Sequence, residues 1–224
     1  MTVVIPFINQ LPGPVQVEWL AVLNQKLAPH KVLLIEEMTT QEKLRVEIAI
    51  VANPDPLEVK QFPNLLWVQS LWAGVDRLLD EIPEPNFKIV RLQDPMLAET
   101  MAEAVLTWCL YLHRDLPKYI AQQKHCVWQQ HNVVPASKRN IGFLGLGKLG
   151  QASAERLKNN GFNVSGWSHS TKNLTGIRCY SGENGLAKML ADLHILVILL
   201  PLTSKTDKLV NQLLLSKLPF GAQI

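Results

Sequence analysis

The feature that most constrains the fold of this chain is a short glycine-rich turn between an apolar run and a helical pattern. Residues 140–144 are mostly apolar, residues 145–150 read Gly-Leu-Gly-Lys-Leu-Gly, and residues 151–160 have helical character. A G-x-G-x-x-G turn between a strand and a helix is typical of a dinucleotide site, where glycines permit the tight turn and close approach of the pyrophosphate. The alternative is a chance match in a loop, and a second strand at the right distance favours the binding turn.

Short apolar runs alternate with polar or helical segments over roughly the first ninety residues. The runs are rich in β-branched residues and are bounded by Pro, Asn or Gly, which predicts strands at residues 3–8, 31–35, 47–52, 65–71 and 88–92. Residues 15–27 have apolar side chains at helical spacing. Strands that take turns with helices predict a parallel sheet with helices on its faces.

From residue 98 the pattern becomes a long helical stretch and then a second α/β series. An apolar stripe that includes Met101, Ala104, Val105, Trp108 and Leu112 predicts a helix to about residue 116, and Pro117 can begin another. The second series has predicted strands at residues 140–144, 162–168, 177–180 and 195–200, and predicted helices at residues 151–160, 185–193 and 207–218. We therefore predict two α/β domains, residues 1–98 and 99–224. Residues 222–224 read as the opening of a further strand, so we expect the sequence to be cut short.

Composition excludes several classes of partner. The formal net charge is only +3 and like charges form no long run, so nucleic acid is not expected as a partner. No apolar run approaches the length that crosses a membrane, and the apolar N-terminus lacks the basic flank of a signal peptide. The three cysteines are far apart and have no metal-type spacing, which suits free thiols. We expect a cytoplasmic protein without a metal site.

The segment after the second strand of the glycine-turn domain bears on the choice of dinucleotide. An NAD site usually has a carboxylate there, which binds the ribose 2′-hydroxyl, but residues 162–181 contain no Asp or Glu. Ser168, His169 and Lys172 occupy this segment instead, and hydroxyls with a cation suit a 2′-phosphate. The sequence favours NADP over NAD; the alternative is a polar surface loop.

A second glycine-containing turn follows the fourth predicted strand, at residues 70–76. Gly74 lets the backbone approach a ligand, and consecutive main-chain N–H groups can bind a carboxylate. The alternative is a simple strand-to-helix turn in which Asp76 begins the helix.

The order of these motifs resembles the D-isomer-specific 2-hydroxyacid dehydrogenases. The residues that carry this resemblance are Leu71-Trp72-Ala73-Gly74-Val75-Asp76, Met101-Ala102-Glu103, the glycine turn, and Leu199-Leu200-Pro201-Leu202-Thr203 with Thr206. The glyoxylate/hydroxypyruvate reductase branch is closer still, because of Trp167-Ser168 with Lys172, Arg91-Leu92 before Asp94, and Lys217-Leu218-Pro219 before Gly221.

The resemblance implies a flavodoxin-like substrate domain, a Rossmann nucleotide domain and NADPH-dependent reduction of a small 2-oxo acid. It implies that the substrate carboxylate binds the main-chain N–H groups of Ala73, Gly74 and Val75. It further implies that the cofactor binds Gly145, Gly147, Lys148, Leu149, Gly150, Ser168, His169, Lys172, Leu200, Pro201 and Thr206. Relatives of this branch often have Arg at the position of His169. Because this chain lacks that Arg, NAD(H) is expected as a possible second cofactor.

The resemblance also implies where this chain departs from its family. The family's catalytic Arg, Glu and His are expected beyond Ile224, so we expect this 224-residue chain to be inactive or nearly so. We expect His113 and His125 to be surface or interface residues, and His194 to be structural. A homodimer is implied, with Trp128 either reaching a neighbouring subunit or serving as a core or interface residue. The alternative hypothesis is a non-catalytic NAD(P)-binding sensor or corepressor-like module. A third hypothesis is a formate- or phosphite-type dehydrogenase.

Overall fold

The computed structural model describes residues 2–224 and divides the chain into two compact units. The first unit extends to Gln93 and the second spans Asp94–Ile224. The division falls just before helix α5, Pro95–His113, whose N-cap Asp94 accepts a hydrogen bond from the main-chain N–H of Met96 at 2.9 Å. The boundary predicted at residues 98/99 lies inside this helix, because the apolar stripe from which it was inferred begins only after the first turn.

The first unit is a parallel five-stranded sheet with helices in its connections. Its strands are β1 (Val4–Asn9), β2 (Lys31–Leu33), β3 (Ile48–Ala52), β4 (Trp67–Ser70) and β5 (Lys88–Val90). Its helices are α1 (Gly13–Lys26), α2 (Thr40–Lys43), α3 (Pro56–Val59) and α4 (Asp76–Glu81). The strand order β2-β1-β3-β4-β5 is that of flavodoxin-like folds, which confirms the predicted class.

Apolar side chains of the first sheet are buried on both faces. On β1, Phe7 packs into the cluster that contains Leu23 of α1, whereas its neighbour Ile8 packs into the opposite cluster with Phe62 and Leu78. This alternation follows from the two-residue repeat of a strand, and burial on both faces explains why the strands are continuous apolar runs.

The second unit contains the glycine turn and another parallel sheet. Its helices are α5, α6 (Leu116–Lys124), α7 (Lys148–Asn159), α8 (Gly182–Leu190) and α9 (Gln212–Leu215). Its strands are β6 (Asn140–Leu144), β7 (Asn163–Trp167), β8 (Arg178–Tyr180) and β9 (Ile195–Ile198), in the order β8-β7-β6-β9. Gln223 adds a parallel bridge to Ile195 of β9. This is the order of a Rossmann nucleotide-binding sheet, and the prediction of two parallel α/β sheets is confirmed.

Helix α5 packs against α7 with a different face from the one expected. Its buried residues are Ala102, Val105, Cys109 and His113, which recur at helical spacing. Trp108 keeps 64% of its surface exposed, and the expectation of a surface position for His113 is wrong. The cause is tertiary, since the His113 ring packs edge-on against Phe162, at 5.0 Å between ring centroids.

The prediction of a long helix at residues 207–218 is wrong, because only one helical turn, α9, forms there. The main-chain N–H groups of Thr206 and Asp207 both donate to the Thr203 carbonyl, and Lys208 has a φ of 55°, so the chain leaves helical geometry. Asn211 then starts α9 by accepting a hydrogen bond from the Leu214 N–H at 3.0 Å. Within residues 2–224, no helix has the length and apolar character needed to cross a membrane.

Candidate functional site

Three segments of the second unit meet at one edge of its sheet. Because β6, β7 and β9 are parallel, their carboxyl ends lie at the same edge, where α/β sheets bind their ligands. The N–H of Gly145 donates to the carbonyl of Trp167 at 2.9 Å, and the N–H of Leu199 donates to the carbonyl of Leu144 at 2.8 Å. The structure therefore brings the glycine turn together with the chain that follows β7 and β9.

Two glycines of the turn are required by the protein's own packing. Gly145 has a φ of 105°, and a Cβ added there would lie 2.7 Å from the carbonyl oxygen of Leu199. A Cβ added at Gly150 would clash with the carbonyl oxygen of Gly145. The absence of a side chain at these two positions therefore allows α7 to start close to the end of β6 and to the chain after β9.

Gly147 is different, because a Cβ added there would meet no protein atom within 4 Å. It is the N-cap of α7, and the first backbone hydrogen bond of that helix runs from Gln151 N–H to the Gly147 carbonyl at 2.8 Å. Within the described residues, the N–H groups of Gly147, Leu149 and Gly150 have no protein acceptor. Unpaired amides at the positive end of a helix suit a pyrophosphate, so these residues fit a dinucleotide.

The segment after β7 carries polar and cationic groups. The buried Ser168 hydroxyl donates to the carbonyl of Ser170 at 2.7 Å, so it shapes the loop from within. His169 is exposed and Lys172 is half-buried. The nearest acidic residue after this segment is Glu183, in the first turn of α8. The loop therefore presents positive charge and no carboxylate of its own.

The segment after β9 is organised by Thr206. Its hydroxyl accepts a hydrogen bond from the Thr203 N–H at 2.8 Å and donates to the carbonyl of Pro201. Leu200 is half-buried and Pro201 is exposed. Thr206 thus holds residues 201–206 in one turn beside the glycine turn, and its hydroxyl is occupied by that turn.

The turn that follows β4 lies in the first unit. Ser70 Oγ accepts from the Trp72 N–H at 3.1 Å and donates to the Trp72 carbonyl at 3.0 Å. Arg91 Nη1 donates to the carbonyl of Ala73 at 3.3 Å. Among the described residues, the N–H groups of Ala73, Gly74 and Val75 have no protein acceptor. Three successive amides without a protein acceptor can bind a carboxylate.

A depression beside this turn is lined in part by residues that were not predicted as site residues from the sequence. Gly74 and Val75 line it together with Asn53, Pro54 and Arg77. Asn53 has a φ of 51° directly after β3, a conformation that Asn tolerates better than most residues. The sequence feature that could have indicated this position is the Asn-Pro pair at the end of an apolar strand, which is typical of a turn.

The second unit matches a known family. The family model described as "D-isomer specific 2-hydroxyacid dehydrogenase, NAD binding domain" matches residues 106–224.

Solved structures match the chain over nearly its whole length. A D-isomer specific 2-hydroxyacid dehydrogenase from Xanthobacter autotrophicus Py2, in complex with NADPH and MES, is 33% identical, with a TM-score of 0.87 over 99% of this chain and 71% of that protein. An NADPH-dependent glyoxylate/hydroxypyruvate reductase from Sinorhizobium meliloti, in complex with NADP and sulfate, is 32% identical, with a TM-score of 0.85 over 99% of this chain and 71% of that protein. A probable 2-hydroxyacid dehydrogenase from Rhizobium etli CFN 42, in complex with NADP, HEPES and L(+)-tartaric acid, is 30% identical, with a TM-score of 0.86 over 99% of this chain and 70% of that protein.

Proposed function

We propose that this chain, which belongs to the D-isomer-specific 2-hydroxyacid dehydrogenase family of oxidoreductases, binds NADP(H) in its second unit for the reduction of a small 2-oxo acid such as glyoxylate or hydroxypyruvate. The observation that carries the proposal is the set of amides without a protein acceptor at Gly147, Leu149 and Gly150, at the carboxyl edge of a Rossmann sheet. Lys148, exposed in the same turn, adds a positive charge beside the phosphates.

The preference for NADP(H) over NAD(H) rests on the loop after β7. Lys172 and His169 can contact the adenosine 2′-phosphate, and Ser168 keeps the loop in shape through its bond to Ser170. Since no carboxylate occurs between residues 162 and 181, nothing in this loop repels the phosphate or binds a free 2′-hydroxyl. Leu200, Pro201 and Thr206 form the neighbouring wall of the proposed cofactor site.

Cofactor titrations of a Lys172→Ala variant test this preference. We expect the affinity for NADPH to fall about tenfold while the affinity for NADH changes little, because only NADPH carries the charge that Lys172 binds. Lys188→Ala removes an exposed lysine of α8 in the same unit and is the matched control. Equal losses for the two cofactors, or an equal loss in the control, would overturn the preference.

The substrate part of the proposal rests on the turn at Ala73, Gly74 and Val75. Their N–H groups can donate hydrogen bonds to the carboxylate of a 2-oxo acid, while Arg91 donates to the Ala73 carbonyl and so orients the peptide. When bound, the reduced nicotinamide supplies the hydride; the chain contributes binding and orientation of the acid.

Backbone amide NMR tests the substrate turn without relying on turnover. In the presence of NADPH, we expect glyoxylate to shift the amide resonances of Ala73, Gly74 and Val75 in a saturable manner. Acetaldehyde, which lacks the carboxylate, is the control ligand. Glyoxylate titration that leaves these three resonances in place contradicts the assignment even if NADPH binds normally.

We further propose that residues 1–224 alone turn over such substrates poorly. The family chemistry pairs a proton-donating histidine with a carboxylate, as the resemblance implies. In residues 2–224, no histidine side chain forms a hydrogen bond or salt bridge with Asp or Glu; His131 bonds Gln122 and His194 bonds the Asn140 N–H. This observation also supports the second candidate, a non-catalytic NAD(P)-binding sensor. An NADPH oxidation assay with glyoxylate tests both hypotheses, because rapid turnover would exclude the sensor and the low-activity proposal together.

A homodimer through the face of α5 and the following segment is proposed from its exposed apolar side chains. Trp108 and Trp128 are 64% and 93% exposed, which excludes a core position for Trp128. Large exposed aromatic residues are typical of protein interfaces. We expect sedimentation to show a dimer that Trp108→Glu dissociates, whereas Leu213→Glu, on the exposed side of α9, leaves it intact. The dimer would be refuted if the unmodified protein and the Leu213→Glu variant both sediment as monomers.

The cytoplasmic location remains a proposal that rests on cysteine chemistry. Cys109, Cys126 and Cys179 are free thiols, and Cys126 is exposed. Exposed free thiols are usual in reducing compartments. Cell fractionation with an antibody against this chain tests the location.

A further inference from the structure

A cluster of cationic and imidazole groups lies in the second unit where α5 meets α6, and no step of the proposed reaction uses it. We call it the corner site and define it by His113, Asp115, Lys118, His131 and Arg139. Two adjoining depressions form it: His113 lines one, Arg139 lines the other, and Asp115 and His131 line both. Its backbone is supplied by the end of α5, the start of α6 and the chain that leads into β6.

Two buried nitrogens of the corner site have no hydrogen-bond partner among residues 2–224. They are Nδ1 of His113 and Nε of Arg139. The His113 side chain retains only 8% of its exposure and is held edge-on against Phe162. Buried polar atoms are nearly always paired with a protein group, a water or a ligand, so these two nitrogens call for a polar partner from outside the chain.

The charge around these nitrogens favours an anion as that partner. Among the described residues that line the two depressions, Asp115 is the one carboxylate, and Lys118 pairs with it at 2.8 Å. Arg139 forms no salt bridge within the described residues, and Arg114 lines the smaller depression. Burial first, then Arg139 and Arg114, lower the pKa of His113, whereas Asp115 raises it. The charges of Arg139 and Arg114 therefore remain after Asp115 is paired with Lys118.

We propose that the corner site binds a small oxyanion, a phosphate or a dicarboxylate, through Arg139 and His113. The smaller depression, which His113 lines, holds about 270 Å³, part of it open to solvent, and Asp115 and His131 also line the adjoining one, which Arg139 lines. A small anion placed where the two depressions adjoin can therefore face both His113 and Arg139. The oxyanion accepts hydrogen bonds from the Arg139 guanidinium and from the His113 imidazole, and its charge offsets the excess cations. Asp115, already held by Lys118, sets one side of the site. The proposal does not depend on cofactor binding by the glycine turn.

The test follows the imidazole nitrogens of His113 by NMR while an anion is added at constant pH and ionic strength. We expect inorganic phosphate, succinate or both to shift the His113 resonances saturably towards the protonated form, because a bound anion favours the charged imidazole. Comparing the two ligands distinguishes a phosphate site from a dicarboxylate site. Saturating NADP, present throughout, keeps the added anion out of the nucleotide site.

Two variants decide whether the shift reports a specific site. Arg139→Gln should weaken the anion affinity about tenfold, since it removes a charge-assisted hydrogen bond. Lys138→Gln removes the same charge from the exposed neighbouring residue, which lines neither depression, and should leave the affinity within about twofold. The proposal fails if neither anion shifts His113 saturably, if chloride does so equally, or if both variants lose affinity alike. Thermal melts of each variant confirm that it is folded before titration.

Discussion

Two glycines of the same turn differ in what requires them. The packing of Gly145 against Leu199 and its φ of 105° exclude a side chain for reasons internal to the protein. A Cβ at Gly147 meets no protein atom, so any need for glycine there must come from a ligand. Packing within the protein therefore accounts for glycine at position 145, whereas at position 147 we propose that the cofactor does.

Alanine at each position should separate these two roles. We expect Gly145→Ala to lower the free energy of unfolding by about 1–3 kcal/mol, from strain and contact with the Leu199 carbonyl. We expect Gly147→Ala to leave stability nearly unchanged but to weaken NADPH binding, because its Cβ crowds the phosphates. Urea unfolding and fluorescence titration measure the two quantities. A Gly147→Ala variant that binds NADPH normally would contradict the placement of the pyrophosphate.

His113 should make the stability of the protein depend on pH. Its pKa is lowered in the folded state, first by burial, so the unfolded chain takes up a proton at higher pH than the folded chain. The free energy of unfolding should therefore fall as the pH drops below the ordinary value of 6.5, by at most about 1.4 kcal/mol per pH unit for one proton.

Urea unfolding between pH 7.5 and 5.5, in buffers without phosphate, measures this effect. His113→Gln should flatten the slope, whereas His125→Gln, at an exposed position, should keep it. An unchanged slope in His113→Gln would assign the pH dependence to other groups.

At the scale of elements, the turn after β9 shows how one hydroxyl can hold a segment of the proposed cofactor site. Thr206 bonds both Thr203 and the carbonyl of Pro201, and these bonds close the turn that interrupts the expected long helix. Removing the hydroxyl leaves the Thr203 N–H and the Pro201 carbonyl without this partner.

Thr206→Ala should therefore destabilise the second unit by about 1 kcal/mol and weaken NADPH binding through a disordered turn. Thr206→Ser keeps the hydroxyl and should restore both quantities to nearly their original values. Denaturation and cofactor titration of the two variants provide the measurement. If alanine and serine behave alike, the hydroxyl does not hold this turn.

At the scale of the whole molecule, each unit has apolar clusters of its own. Phe7 and Ile8 belong to the two clusters of the first unit, and Phe143 and Leu144 to the two clusters of the second. Among residues 2–224, the clusters of one unit include no residue of the other. A ligand that binds one unit should therefore stabilise that unit most.

Hydrogen exchange with and without NADPH tests this expectation. At a concentration of cofactor about one hundred times its dissociation constant, we expect protection equivalent to about 2.7 kcal/mol in β6, β7 and β9. The strands of the first unit should change much less. Equal protection of β1 and β3 would show that the two units unfold as one.

The sequence by itself determined the parallel α/β class, the glycine turn and, to within a few residues, the positions of the nine strands in the described part of the chain. These features depend on near neighbours in the chain: the mostly apolar run of residues 140–144 and the glycine spacing that follows it. The roles of the individual site residues stay predictions.

Only the tertiary structure decided which face of α5 is buried, where the helix after β9 is broken and how the corner site is assembled. His113 is buried because Phe162, distant in sequence, packs against it. Residues 207–218 do not form one helix, because the Thr203 carbonyl accepts hydrogen bonds from the N–H groups of Thr206 and Asp207 and closes a turn. Periodicity records that apolar residues exist at helical spacing, but the partners that cover a side chain come from remote parts of the chain, and a sequence does not show which of them meet.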